Sequence, residues 1–225
     1  MGTAWLTIDP ATGVLGGTPT AADVGPVSVT VHVNEPMLPS NFAEKTFTFN
    51  VNEDVYYTSF EGPCPDNWTL TGDWQCGVPA NVGPATAFVG AQCLGTQIAG
   101  LYNDGQTYAG TTATSPDVDL TSVLSPKLTF RMWVDTEGST YDGFNLQISI
   151  DGGMTYSVVD TVVPMYPLTV ASNPAWGGPQ SALGWQSVQA DLAAYAGETV
   201  RLRFAFRSDA SGIFPGVYID DFLVN

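Results

Sequence analysis

The stretch Tyr218-Ile219-Asp220-Asp221-Phe222-Leu223-Val224 is a hydrophobic strand interrupted by two adjacent carboxylates, and its reading decides the fold. Successive side chains of a strand point to opposite faces, so one of the two aspartates is expected to face inward. A buried carboxylate needs a cation or several hydrogen-bond donors to offset its desolvation. Lys and Arg total 6 in these 225 residues against 22 Asp and Glu, whereas oxygen donors abound, so calcium is the expected compensation. The alternative is that Asp220 or Asp221 caps backbone N–H groups or pairs with Arg201 or Arg203.

Upstream of this stretch, further strands are expected at 127–134, 144–150, 156–163, 185–191 and 200–207, with Leu192-Ala193-Ala194-Tyr195-Ala196-Gly197 as at most one helical turn ended by Gly197. Six or more strands without intervening helices imply a two-sheet sandwich of jelly-roll type from residue 55 to 225. Residues 1–54 read as a separate unit. It holds Trp5-Leu6-Thr7-Ile8, a turn at Asp9-Pro10-Ala11-Thr12-Gly13, and Val14-Leu15. A period-2 strand follows, in which Val27, Val29, Val31 and Val33 alternate with Ser28, Thr30 and His32, and Phe47, Phe49 and Val51 form the last strand. His32 therefore lies on the outer face, a surface residue rather than a ligand or base.

The formal net charge of -16 excludes nucleic acid and anionic membranes as partners, since both would be repelled. No apolar run is long enough to span a membrane. The start Met1-Gly2-Thr3-Ala4 runs straight into a strand, as expected of a piece cut from a longer precursor. Three cysteines fit neither a disulfide-dense scaffold nor a zinc site, so one bridge and one free thiol is the simplest count. Cys64 and Cys76 flank a short Trp-bearing loop and are the favoured pair, which leaves Cys93 buried and inert.

Ser149-Ile150-Asp151-Gly152-Gly153-Met154-Thr155-Tyr156 has the Asp-box pattern, in which Asp151 holds a hairpin turn and Tyr156 packs beneath it. Tyr166, Trp176 and Phe214 lie in Gly/Pro-rich segments, where exposed rings could stack on a sugar; otherwise they plug the ends of the sandwich. Catalytic patterns are missing from the sequence: there is no Gly-x-Ser-x-Gly, no His-Glu-x-x-His and no phosphate-cradling loop. Paired acids among Asp142, Asp151 and Asp220 leave glycoside hydrolysis as a remote option, and the expectation is a protein that binds rather than catalyses.

Two resemblances sharpen this. The run from Trp5 to Pro19, with its Trp-Leu strand, Pro-Ala-Thr-Gly turn and Gly-Thr-Pro exit, resembles immunoglobulin-like, cadherin-related repeats of bacterial surface proteins. Such repeats begin with strands this chain lacks, which implies a partial immunoglobulin-like sandwich with an open sheet edge that another chain could complete by strand addition. The remainder resembles MAM-like jelly-roll domains, found beside immune inhibitor A-type metalloproteases and in cleaved adhesins. The likeness is carried by Phe60-Glu61-Gly62, Trp74, Cys93-Leu94-Gly95-Thr96, Ser115-Pro116-Asp117, Asp142-Gly143-Phe144, Trp185, Ala194-Tyr195-Ala196-Gly197 and Tyr218-Ile219-Asp220-Asp221. That resemblance implies a structural calcium between Glu61 on the first strand and Asp220 or Asp221 on the last, with Asp104 as the candidate from an intervening loop. Together they imply a secreted or surface module for adhesion or assembly, its partner a surface protein or glycan, with a carbohydrate-binding module accessory to a secreted hydrolase as the alternative.

Overall fold

The computed structural model describes residues 4–35 and 37–225; the start read above at Met1 to Thr3 lies outside them. The chain divides into two compact units between Glu53 and Asp54, one residue before the boundary read from the sequence. No helix among the described residues is long and apolar enough to cross a membrane.

The first unit is two antiparallel hairpins. Strands β1 (Leu6–Ile8) and β2 (Leu15–Gly17) flank a turn in which Asp9 Oδ1 accepts the Ala11 N–H at 2.8 Å. Strands β3 (Gly25–Glu35) and β4 (Leu38–Val51) pair in register from Gly25 opposite Val51 to Asn34 opposite Phe42, and the register then shifts to set Glu35 opposite Leu38. Val27 and Val51 are buried, and Trp5 packs edge-on against Phe49 with ring centroids 6.4 Å apart. His32 is exposed as expected, but it has a carboxylate companion: its Nδ1 lies 2.9 Å from Glu44 Oε1 and its ring stacks on Phe42.

The second unit is an all-β jelly-roll sandwich. Its strands are β5 (Tyr56–Thr58), β6 (Thr69–Leu70), β7 (Trp74–Gly77), β8 (Cys93–Thr96), β9 (Thr112–Thr114), β10 (Val118–Asp119), β11 (Lys127–Asp135) and β12 (Gly143–Ser149). They continue with β13 (Ser157–Val158), β14 (Val162–Val163), β15 (Leu168–Val170), β16 (Asn173–Ala175), β17 (Gln186–Asp191), β18 (Thr199–Arg207) and β19 (Gly216–Val224). One sheet runs β14-β17-β11-β19-β8-β7 with β5 also on β19; the facing sheet runs β13-β12-β18-β9-β6 with β10 also on β18. Between them, Leu128, Phe130, Met132 and Val134 of β11 meet Phe144, Leu146 and Ile148 of β12 and Leu202, Phe204 and Phe206 of β18. This period-2 set is the alternation visible in the sequence. Each fully buried Phe or Leu contributes about 1.5–3 kcal/mol, and Phe204 sits among Trp68, Phe130 and Phe222 at centroid distances of 6.0, 4.9 and 6.0 Å. Ala193–Tyr195 makes one helical turn, as Ser181–Leu183 does before β17, and Gly197 follows the former at φ +89°.

Candidate functional site

Strand β19 does not place one aspartate in the core. The register against β11 shifts between Thr129 and Arg131, which puts an extra residue into β19, and Asp221 takes φ +51°. This β-bulge breaks the alternation: Ile219 and Phe222 both belong to the core cluster, and the two aspartates between them are left on the outer face. The expectation of an inward-facing carboxylate is corrected on that ground.

Asp220 is nevertheless fully buried, because the loop between β7 and β8 lies over it. Its Oδ2 accepts the N–H groups of Phe88 and Val89, both at 2.8 Å, and its Oδ1 accepts that of Asp221 at 2.7 Å. Glu61 grips the same loop further along. After β5 the chain turns at Phe60 (φ +58°), and Glu61 Oε1 accepts the N–H groups of Ala91 and Gln92 at 2.8 and 2.5 Å. Gly90 lies between the two anchor points at φ +65°, where a Cβ would stand 2.2 Å from the Glu61 carboxyl carbon. Only glycine fits that approach.

Burial outweighs these three donors at Asp220 and raises its pKa to about 6. Nearby Cys93 is a buried free thiol pushed well above its usual range, first by burial and then by the charges of Asp220 and Glu61. Asp220 and Glu61 therefore act on one small region, a pair of hard oxygen donors with spare lone pairs and no ion pair of their own among the described residues. That donor set, with a buried carboxylate poorly offset by N–H groups, suits calcium.

The other two expected ligands are elsewhere engaged. Asp221 is half-buried, 3.7 Å from Arg131 Nε, and accepts from the Tyr57 hydroxyl at 3.3 Å. Asp104 is exposed on a turn anchored away from Glu61: Asn103 donates to Asp73, Gln106 to Ser208, and Gly105 to the Asp209 carbonyl. None of these bonds reaches Glu61, Asp220 or the backbone N–H groups they hold.

The expected aromatic platform is also corrected. Trp176 is 1% exposed, its Nε1 donates to the Pro164 carbonyl, and its ring packs on Tyr166 and Phe144 at 4.2 and 5.3 Å. The Tyr166 hydroxyl accepts the Leu146 N–H and donates to the Val159 carbonyl. Phe214 packs partly buried against the same core. All three complete the core, because the segment carrying Trp176 bridges to Phe144 as an added strand edge rather than hanging free.

The outer face of the six-stranded sheet holds an arrangement that sequence reasoning missed. Arg203 lies 3.6 Å over the Tyr156 ring and donates to Gln147 Oε1; Gln147 donates to Asn145 Oδ1, and Asn145 to the Pro174 carbonyl. The polar alternation Asn145, Gln147 and Ser149 within β12 was its visible signal. Arg201 pairs instead with Asp117. Asp151 behaves as an Asp-box residue, accepting from the Thr155 N–H and hydroxyl and from Ser149 Oγ, and these bonds hold its pKa well below the usual carboxylate range. Cys64 and Cys76 form a disulfide.

No family model matches the chain. It is 28% identical to Bacillopeptidase F of Bacillus subtilis over 173 residues. That match takes in 76% of this chain but only 10% of the longer protein. Among solved structures, it is similar to the K2 cleaved adhesin domain of Lys-gingipain, with 19% identity, a TM-score of 0.47, and coverage of 76% of this chain and 98% of that one. It is also similar to the CBM22-1 xylan-binding domain of Paenibacillus barcinonensis Xyn10C, with 19% identity, a TM-score of 0.46, and coverage of 77% and 94%.

Proposed function

We propose that the chain is a non-catalytic extracellular adhesion and assembly module, stapled by calcium, whose β3–β4 hairpin is completed by a strand from a second copy. The hairpin carries this reading. Among the described residues it forms a sheet of two strands only, and it exposes Val33, Phe42, Phe47 and Phe49 by 63, 57, 42 and 39%. An isolated two-stranded hairpin is marginal in water, and its outer edges present unpaired N–H and C=O groups that template another strand. The immunoglobulin-like likeness of residues 5–19 belongs to the same reading, since β1 and β2 pair only with each other among the described residues. The Cys64–Cys76 bridge supports an oxidising, extracellular setting.

Glu61 and Asp220 would hold the calcium. The ion would supply the positive charge that the buried Asp220 lacks, and would tie the end of β5 and the loop over β19 into one body. Sedimentation of the whole chain tests the assembly: concentration-dependent association of the wild type, abolished in Val33→Lys/Phe42→Lys, is expected. A strictly monomeric wild type would refute it.

The second reading is a carbohydrate-binding module accessory to a secreted hydrolase, favoured by the Tyr156, Arg203, Gln147 and Asn145 network. Its ring and its hydrogen-bonded guanidinium are both partly exposed and held in place. Retention on insoluble xylan that is lost in Tyr156→Ala, without self-association, would favour it.

A further inference from the structure

At one end of the sandwich three carboxylates from two connections meet. Glu137 follows β11, Asp142 precedes β12 and Asp209 follows β18, and one oxygen of each lies within 4.8 Å of the others. Asp142 is fully buried; its Oδ2 accepts from the Tyr102 hydroxyl at 2.5 Å and its Oδ1 from the Asp209 N–H at 2.8 Å. Those two bonds lower the pKa of Asp142, but burial, the largest influence, and the charges of Asp209 and Glu137 raise it to a net rise. Among the described residues no cation is a leading influence on it. Arg131 and Arg201 are paired with Asp221 and Asp117, Arg203 is bound to Gln147, and Arg207 donates to the Tyr141 carbonyl.

A separate observation marks a missing partner. Glu137 is half-buried, yet its Oε2 is sealed from solvent and has no hydrogen-bond partner. Gly212, at φ +93°, closes over that atom, and a Cβ there would lie 2.5 Å from it. The Tyr102 hydroxyl also lies 3.1 Å from the Gly212 carbonyl, and its single proton serves either that oxygen or Asp142. An unpartnered buried oxygen calls for a ligand that accepts electron pairs.

We propose that Glu137, Asp142 and Asp209 bind a calcium ion, with the Gly212 carbonyl as a further oxygen donor, at a site separate from Glu61 and Asp220. At calcium–oxygen distances of about 2.3–2.6 Å, opposite ligands of one ion are separated by roughly 4.6–5.2 Å, so three oxygens within 4.8 Å of one another fit its shell. Magnesium wants a tighter octahedron than three loop carboxylates readily supply. The ion ties the β11–β12 connection to the β18–β19 connection.

The test is calorimetric titration of the chelated whole chain with calcium chloride, for the wild type, Glu137→Gln, Asp209→Asn and Glu61→Gln. The expected result is that Glu137→Gln and Asp209→Asn lose one equivalent of calcium, or bind it at least tenfold more weakly, while Glu61→Gln keeps it. Because Glu137 Oε2 has no protein partner, Glu137→Gln without calcium should melt with the wild type, which separates ligand loss from misfolding. Equal stoichiometry and affinity in the wild type and Glu137→Gln would overturn the proposal, as would no uptake by the wild type. An unchanged Glu61→Gln beside a defective Glu137→Gln would sink the other calcium site and leave this one standing.

Discussion

Without metal, Asp220 should make the protein less stable as pH rises through the mildly acidic range. Its carboxyl titrates near 3.8 in the unfolded chain and is raised to about 6 in the native one by burial beneath the β7–β8 loop. Between those values the native state holds more protons, so the contribution is fully present below 3.8 and is lost as pH climbs through 6. At about 1.4 kcal/mol per pH unit, the gap corresponds to about 3 kcal/mol. For a chain of this size that is a fall of roughly 6–12 °C in the melting midpoint. Calcium reverses the sign, because it binds the ionised carboxylate and rewards deprotonation. The assay is thermal unfolding from pH 3.8 to 7, in chelator and in millimolar calcium, for the wild type and Asp220→Asn. Asp9, Asp23, Asp117, Asp119 and Asp151 have lowered pKa values, so their effect falls below 3.8 and outside the window. Asp142 is raised and acts in the same direction, so the difference between wild type and variant is the quantity that counts. Parallel profiles for the two in chelator would refute the reasoning.

Phe204→Ala should cost about 3–5 kcal/mol in denaturant unfolding, since the ring is fully buried among five aromatic neighbours. Cys64→Ser should cost roughly 3 kcal/mol, the chain entropy released by opening a loop of sequence separation 12. Gly90→Ala should destabilise by at least about 1 kcal/mol, through positive φ and a clash with the Glu61 carboxyl. It should weaken calcium binding in the same variant, whereas Gly100→Ala, at an open position, should leave both unchanged.

The long strands β11, β12, β18 and β19 were legible because a sandwich buries one face of each, and burial writes a period of two into the sequence. The helical turn at Ala193–Tyr195 was legible from Gly197. The bulge at Asp221 was not, because a one-residue slip leaves no mark in composition, and it turns Asp221 from the core to the face that Asp220 occupies. Asp220 was named, with Asp221, from the carboxylates interrupting a hydrophobic strand, and Glu61 through a family resemblance. What their oxygens touch depends on a loop whose path over β19 comes from tertiary packing. Trp176 was left between two readings because Gly177, Gly178 and Pro179 beside it look like an open loop, while its backbone pairs with Phe144. Seven strands, β12 to β18, lie between Glu137 and Asp209, and no spacing rule connects them with Asp142.

Hydrogen exchange on the β3–β4 hairpin at low and high protein concentration tests the claim of assembly by strand addition most directly. The account expects amides on the outer edges of the hairpin to become protected as concentration rises, while those already paired between β3 and β4 change little. Edge amides that exchange at the same rate across a hundredfold range of concentration would contradict it.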